Sequence, residues 1–282
     1  MNRKITKNEL ENHDLANIIR DYHDKFHQIL GYRRMTGWIN KLNHKKYNKK
    51  RVKRLMDLMG IKSVIRRKKA KYIKAKPEIT AENLLNRDFN ATKPNEKWAT
   101  DVTEFKVIGT AQKLYLSAII DLYDRCIVSY VMSTRNDNNL VFRTYEAAME
   151  KYPEATPLFH SDRGFQYTSR VFRTKLESVG IIQSMSRVGR CIDNGPIEGF
   201  WGIIKEEMYS LHKFYSIEEL KNAIDKYVDF YNNHRLQIRY QNQTPIEIRC
   251  KAFQSESVEQ YPISENYKAK KYYEALTQRS AS

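Results

Sequence analysis

Three carboxylates and one lysine in this chain have the types and spacing that metal-assisted phosphoryl transfer needs: Asp101, Asp162, Glu198 and Lys205. Hard cations such as Mg2+ or Mn2+ take oxygen ligands, and two of them about 4 Å apart stabilise both the attacking and the leaving oxygen of an in-line displacement. Carboxylates crowded together repel, so a cluster of them is costly without a cation. Asp101 interrupts an apolar stretch between Trp98 and Phe105, Asp162 follows the short string PLFHS at 157–161, and Glu198 stands just after Pro196 at the start of a long helical pattern. Taken singly, each acid reads first as a solvated surface group. The spacing changes that, because 35 residues separate Asp162 from Glu198 and Lys205 follows Glu198 by seven. Seven residues are two helical turns, which puts Glu198 and Lys205 on one face about 10 Å apart, one end suited to metal and the other to phosphate.

The elements that must position these groups follow from hydrophobic periodicity. Residues 98–108, 113–121 and 125–133 alternate as strands, the last two joined through Leu122-Tyr123-Asp124-Arg125 as a hairpin. Residues 138–151 read as a helix and 157–161 as a short buried strand that ends at Asp162, the C-terminal strand edge where ligands gather in α/β sheets. A helix at 168–179, a strand at 181–185, a long helix opened by Pro196 and another helix at 216–233 complete the pattern. Three strands followed by alternating helix and strand specify an α/β fold, a mixed sheet flanked by helices.

Ahead of this sheet lies a different kind of sequence. Residues 1–76 hold 23 of the 50 Lys and Arg but only 6 of the 33 Asp and Glu, so the whole net charge of +17 sits in the first quarter of the chain. Apolar residues at helical spacing mark helices at 15–29, 33–42 and 49–59, the third capped by Asn48 and stopped by Gly60. In that third helix Val52, Leu55, Met56 and Met59 form one apolar stripe, while Lys49, Lys50, Arg51, Lys53 and Arg54 cover the rest of its first two turns. A small all-α basic domain of this kind suits phosphate contact or entry into a DNA groove; the plain alternative is a charged, solvated helix face. The expected organisation is a helical DNA-binding domain at 1–61, a basic linker at 62–96, a catalytic core at 97–250 and a C-terminal tail at 251–282.

Other classes are excluded by what the chain lacks. No run of eighteen apolar residues spans a membrane, and the three cysteines, Cys126, Cys191 and Cys250, are too scattered for a disulfide frame or a zinc knuckle. A cytosolic protein at the nucleoid is the expectation.

Several strings resemble a known family: NLLNRDFNATKPNEKWATDVTEF at 83–105, HSDRGFQYTS at 160–169, SMSRVGRCIDNGPIEGFWGIIKEEMY at 184–209 and YVDFYNNHRLQIRYQNQTPIEIR at 227–249. They are similar to the transposases of bacterial insertion sequences whose enzyme is read from two overlapping frames. The segment at 31–61 resembles the small helical domain that precedes the catalytic core in that family. The resemblance covers about residues 15 to 250 and implies a ribonuclease-H-like core of the retroviral-integrase type. It implies a DDE triad of Asp101, Asp162 and Glu198 holding two Mg2+ or Mn2+ ions, with Lys205 on DNA phosphate near the scissile bond. The implied activity is strand cleavage at the element ends and strand transfer into target DNA by a homo-oligomer. In family terms the chain is similar to the second-frame product, with a separate helix-turn-helix expected from an upstream frame. Asn233-His234-Arg235 departs from the family, where an acidic residue usually precedes the Arg.

Other groups compete for roles. Asp121 ends a strand beside that of Asp101 and is a candidate auxiliary ligand; Asp193 reads as a helix cap and Asp124 as a turn former. His160 reads either as an orienting group or as a structural core histidine, and Tyr167 as either a DNA contact or a loop residue. Phe200, Trp201 and Tyr209 read as core packing rather than base-stacking groups. Two rival functions share the same residues: a metal-dependent nuclease that cuts without joining, and a non-catalytic DNA-binding regulator of transposition.

Overall fold

The computed structural model describes residues 6–64, 81–187 and 191–263, and of Cys191 and Ile192 the backbone alone. Three helices open the chain: α1 (Lys7–Lys25), α2 (Tyr32–Leu42) and α3 (Lys49–Leu58). The first starts earlier than apolar spacing suggests because Thr6 and Glu9 form a reciprocal capping box. It ends earlier because His27 and Gln28 adopt left-handed backbone, with φ of 48° and 65°. Asn48 caps α3 as expected, its side chain accepting from the Lys50 amide at 2.8 Å, and Gly60 ends that helix at φ +68°. Leu15, Ile19, Met35, Ile39 and Val52 close a small core with no exposure, and Leu236 from the far end of the chain joins it.

The second body is a five-stranded sheet. Strands β1 (Lys97–Lys106), β2 (Lys113–Asp121) and β3 (Ile127–Ser133) form an antiparallel meander, while β4 (Leu158–Ser161) and β5 (Ile182–Met185) run parallel to β1. The spatial order β3-β2-β1-β4-β5 is the mixed, ribonuclease-H-like arrangement. Alternation along the strands feeds two cores. Ala99, Phe105, Ala118 and Ile120 face helices α6 (Gly195–Glu207), α7 (Ile217–Asn233) and α8 (Pro245–Gln254). Trp98, Ile119 and Phe159 face α4 (Asn138–Lys151) and α5 (Arg170–Glu177).

The core extends past its expected bounds. Residues 81–96, expected as linker, pack against the sheet: Leu85 and Ala91 are buried in the main core, and Lys97 pairs with Asp88 at 2.7 Å. The expected tail contributes the end of α8 and the buried Tyr261. The basic strap containing Arg66–Lys69, Lys71, Lys74 and Lys76 lies outside the described residues. Among the described residues, no helix is long and apolar enough to cross a membrane.

Candidate active site

Strand register brings the first two acids together. In the parallel pair β1–β4, Lys97 faces Leu158, Trp98 faces Phe159 and Ala99 faces His160, a constant offset of 61 residues. Continued by two residues, past the end of β4, the same offset carries Asp162 toward Asp101, close enough for its charge to act on the Asp101 carboxyl. Asp101 shares the face of Ala99 and Phe105, the side covered by α6. Asp162 sits one residue beyond β4, its Oδ1 accepting from the Gly164 amide at 2.8 Å. A Cβ at Gly164 would stand 3.0 Å from that same oxygen, so the close approach is built around glycine.

The third acid comes from α6. Pro196 occupies its first turn, where a missing N–H costs nothing, and Glu198 is exposed in the same turn. The start of the helix is tied to the sheet by Asn194, whose Nδ2 donates to the Thr100 carbonyl at 2.9 Å. Further along, the Trp201 Nε1–H donates to Asp101 Oδ2 at 2.9 Å, and Lys205 donates to Thr103 Oγ1 with its ammonium 5.4 Å from the centre of the Phe105 ring. Residues 198, 201 and 205 of one helix face thus run along residues 101, 103 and 105 of one strand face.

Electrostatics mark the place as unusual. Burial first, then the charge of Asp162 and that of Glu198, push the Asp101 carboxyl up to about 7, against the hydrogen bonds from Val102 and Trp201. Burial also raises Asp162, with the Gly164 amide opposing. Among the described residues neither aspartate has a basic ion-pair partner. The two aspartates, their carboxyls raised by burial, offer hard oxygens, a donor set that fits a divalent cation. The three carboxylates do not close into a cage as placed: among the described residues no group of three His, Cys, Asp or Glu stands ready to hold an ion.

The competing residues resolve into structural roles. Asp121 is not near the pair: it and Asp124 are fully buried around Arg249, whose Nη1 lies 3.3 Å and 2.8 Å from them. Burial pushes both acids up while Arg249 pulls them back. Asp124 also forms its expected turn, accepting from the Cys126 amide. Asp193 does not cap α6, since Asn194 holds that position; it clamps Arg87, Arg187 and Asn83 instead. Burial pushes Asp193 upward, but hydrogen bonds from Arg187 and Arg87 outweigh it and hold the carboxyl low. His160 is the structural alternative: fully buried, bonded to Ser184 and Ser186, and driven by burial to about 4, hence neutral. Tyr167 is not a DNA contact, being 1% exposed with its hydroxyl on Thr100. Phe200 and Trp201 are buried as expected, and Tyr209 bonds the Lys106 backbone. Trp201 and Asn194 are the site residues that hydropathy alone hides; their nearness to Glu198 in sequence is the only signal.

In the basic helix, Lys49, Lys50 and Arg54 are exposed, whereas Arg51 pairs with Glu11 at 2.9 Å and Lys53 with Asp57 at 2.6 Å.

Comparison with known proteins agrees with this architecture. Residues 9–69 match an HTH-like domain, and residues 91–191 and 198–253 match integrase core domains. The putative transposase InsK of insertion element IS150 from Escherichia coli K12 is 42% identical over 224 residues, 79% of this chain and 78% of its own. The transposase of insertion element IS904 from Lactococcus lactis is 34% identical over 243 residues, 84% of this chain and 93% of its own. Among solved structures, the HTLV-2 integrase catalytic core is similar at 22% identity and a TM-score of 0.43, over 56% of this chain and 97% of that one. An integrase core joined to an HTH-like module defines the class: a DNA-binding polynucleotidyl transferase. Within that class the chain belongs to the insertion-sequence transposases of the DDE type.

Proposed function

We propose that Asp101, Asp162 and Glu198 are the catalytic triad, that they hold two Mg2+ or Mn2+ ions, and that the chain thereby cleaves DNA at the ends of its element and joins the freed 3′-hydroxyl to target DNA. The observation that supports this most directly is the β1–β4 register, whose continuation carries Asp162 toward Asp101, where its charge raises the Asp101 carboxyl. Bound divalent cations supply the positive charge that activates water or a 3′-hydroxyl and stabilises the departing oxygen. Asp101 and Asp162 are the half-buried pair of donors, and the exposed Glu198, in the first turn of α6, is the third. From its place beside Thr103, Lys205 takes the phosphate that flanks the scissile bond. Lys49, Lys50 and Arg54 hold DNA phosphates at the helical module, with Arg51 and Lys53 supporting them from within their ion pairs. Two element ends must be brought together, which calls for a homo-oligomer on DNA, and an upstream-frame segment is the expected fusion or partner.

The test is Glu198→Gln, which removes a metal-binding charge and keeps the side-chain shape. With end-labelled element-end duplexes and Mg2+, the wild-type chain yields cleaved strands and longer joined products, while the variant loses both by orders of magnitude and still binds the duplex. Near-normal activity of Glu198→Gln overturns the triad. Cleavage without longer products from the wild-type chain indicates a nuclease, and binding without cleavage a regulator.

A further inference from the structure

Trp201 is more than packing. Its ring lies 5.2 Å from that of Phe200 and is 6% exposed, which hydrophobic burial explains, yet its one polar atom is aimed at a carboxylate of the candidate site. An indole N–H is a donor only, with a direction fixed by the ring plane, so the side chain it meets is held in one orientation. Here the acceptor is Asp101 Oδ2, at 2.9 Å. The ring itself has little freedom. Asn194 pins the start of α6 to the Thr100 carbonyl, and Lys205 pins its later turns to Thr103.

We infer that Trp201 is a positioning residue of the metal site, orienting the Asp101 carboxylate so that its remaining lone pairs face the cations. The inference rests on the reading of Asp101 as a cation ligand. A carboxylate has roughly four lone-pair positions, so the bonds from the indole and the Val102 amide leave it competent to ligate. Groups that orient a metal ligand in this way are commonly worth about 10–100-fold in metal affinity. Trp201 follows Glu198 by three residues, so one helix face carries both a ligand and the group that aims another ligand. The Trp201–Asp101 bond thereby links the proposed ligands of β1 and α6 directly, between the Asn194 and Lys205 contacts that hold the helix to the strand. A buried indole that merely found the nearest acceptor would leave metal affinity untouched, which makes the two roles separable.

The experiment uses the full chain and Mn2+ alone, titrated calorimetrically without DNA. Replacement of Trp201 by β-(3-benzothienyl)alanine exchanges the N–H for sulfur and keeps the ring shape, so the core stays filled; Trp201→Phe is the second variant, and circular dichroism identifies which of the two retains the native fold. The folded variant is expected to bind Mn2+ about 10-fold or more weakly. Wild-type affinity in that variant, alongside loss of binding in Asp101→Asn, overturns the positioning role and leaves the metal site standing. Wild-type affinity in Asp101→Asn overturns the metal reading beneath it, and this inference falls with it.

Discussion

Glu207 grips Arg235 with both carboxylate oxygens, at 2.9 Å to Nε and 2.8 Å to Nη2, and the two side chains are only 10% and 8% exposed. The same carboxylate takes Arg34 of α2 at 2.9 Å and the Tyr227 hydroxyl of α7 at 2.8 Å. The last residue of α6 therefore holds α2, α7 and the segment that follows α7 to one point. Removing one member of a buried pair leaves the other charge uncompensated, typically at a cost of about 3–5 kcal/mol. Glu207→Ala should lose stability on that scale in urea unfolding at neutral pH, and a loss below about 1 kcal/mol would show the network to be dispensable.

The same group sets an acid limit. Burial pushes Glu207 up, but the hydrogen bonds and charges of Arg235, then Arg34 and Tyr227, outweigh it and hold the carboxyl below its usual value. A depressed folded-state value means that this stability is fully present above the unfolded carboxylate value, near about 4.3, and is lost as pH falls through the folded value. Stepping unfolding measurements from about pH 6 down to about pH 3, the wild-type chain should decline more steeply than Glu207→Gln. Parallel curves would assign acid sensitivity elsewhere.

In the basic helix the structure divides residues that look alike in sequence. Lys50 and Arg54 are exposed, while Arg51 reaches back to Glu11 and Asn12 of α1. A basic side chain that no longer neutralises its DNA phosphate flattens the dependence of log K on log salt by about 0.9. Lys50→Ala with Arg54→Ala should therefore reduce the slope by about 2 in anisotropy titrations on an element-end duplex. Arg51→Ala should move it less than either single change. An unaltered slope in the double variant takes α3 off the DNA.

What sequence could show here was set by how local each cause is. Alternation within β2 and the 3.6-residue period of α4 lead to their observed bounds, 113–121 and 138–151. Asp101, Asp162 and Glu198, the proposed triad, stand out in the sequence through spacing, because strand edges and a helix start are local features. The role of Asp193 was not legible, since Arg87 and Asn83, two of the three residues that hold it, stand 106 and 110 residues away. Helix α8 was hidden because Arg249, 1% exposed in its middle, breaks the apolar stripe that burial ordinarily produces; the buried Asp121 and Asp124 that justify it are 128 and 125 residues distant. Trp201 was legible as core and illegible as a donor, for hydropathy records the ring and not the direction of its N–H.

Gly37 gives a prediction whose sign reverses with its partner. It lies within α2, where Ala is normally better than Gly by about 1 kcal/mol. A Cβ there would stand 2.6 Å from Asn242 Oδ1 and 2.8 Å from its Cγ, closer than packed atoms allow. Asn242 itself sits at φ +64°, a conformation glycine adopts without strain. Gly37→Ala alone should thus destabilise the chain by about 1–3 kcal/mol, the usual cost of overpacking. In an Asn242→Gly background the obstacle is gone and the same change should stabilise by up to about 1 kcal/mol. Denaturant unfolding of the wild-type chain, the two single variants and the double variant measures this directly. Equal effects of Gly37→Ala in both backgrounds would show that Asn242, and with it the seam between the helical module and the core, does not dictate glycine at 37.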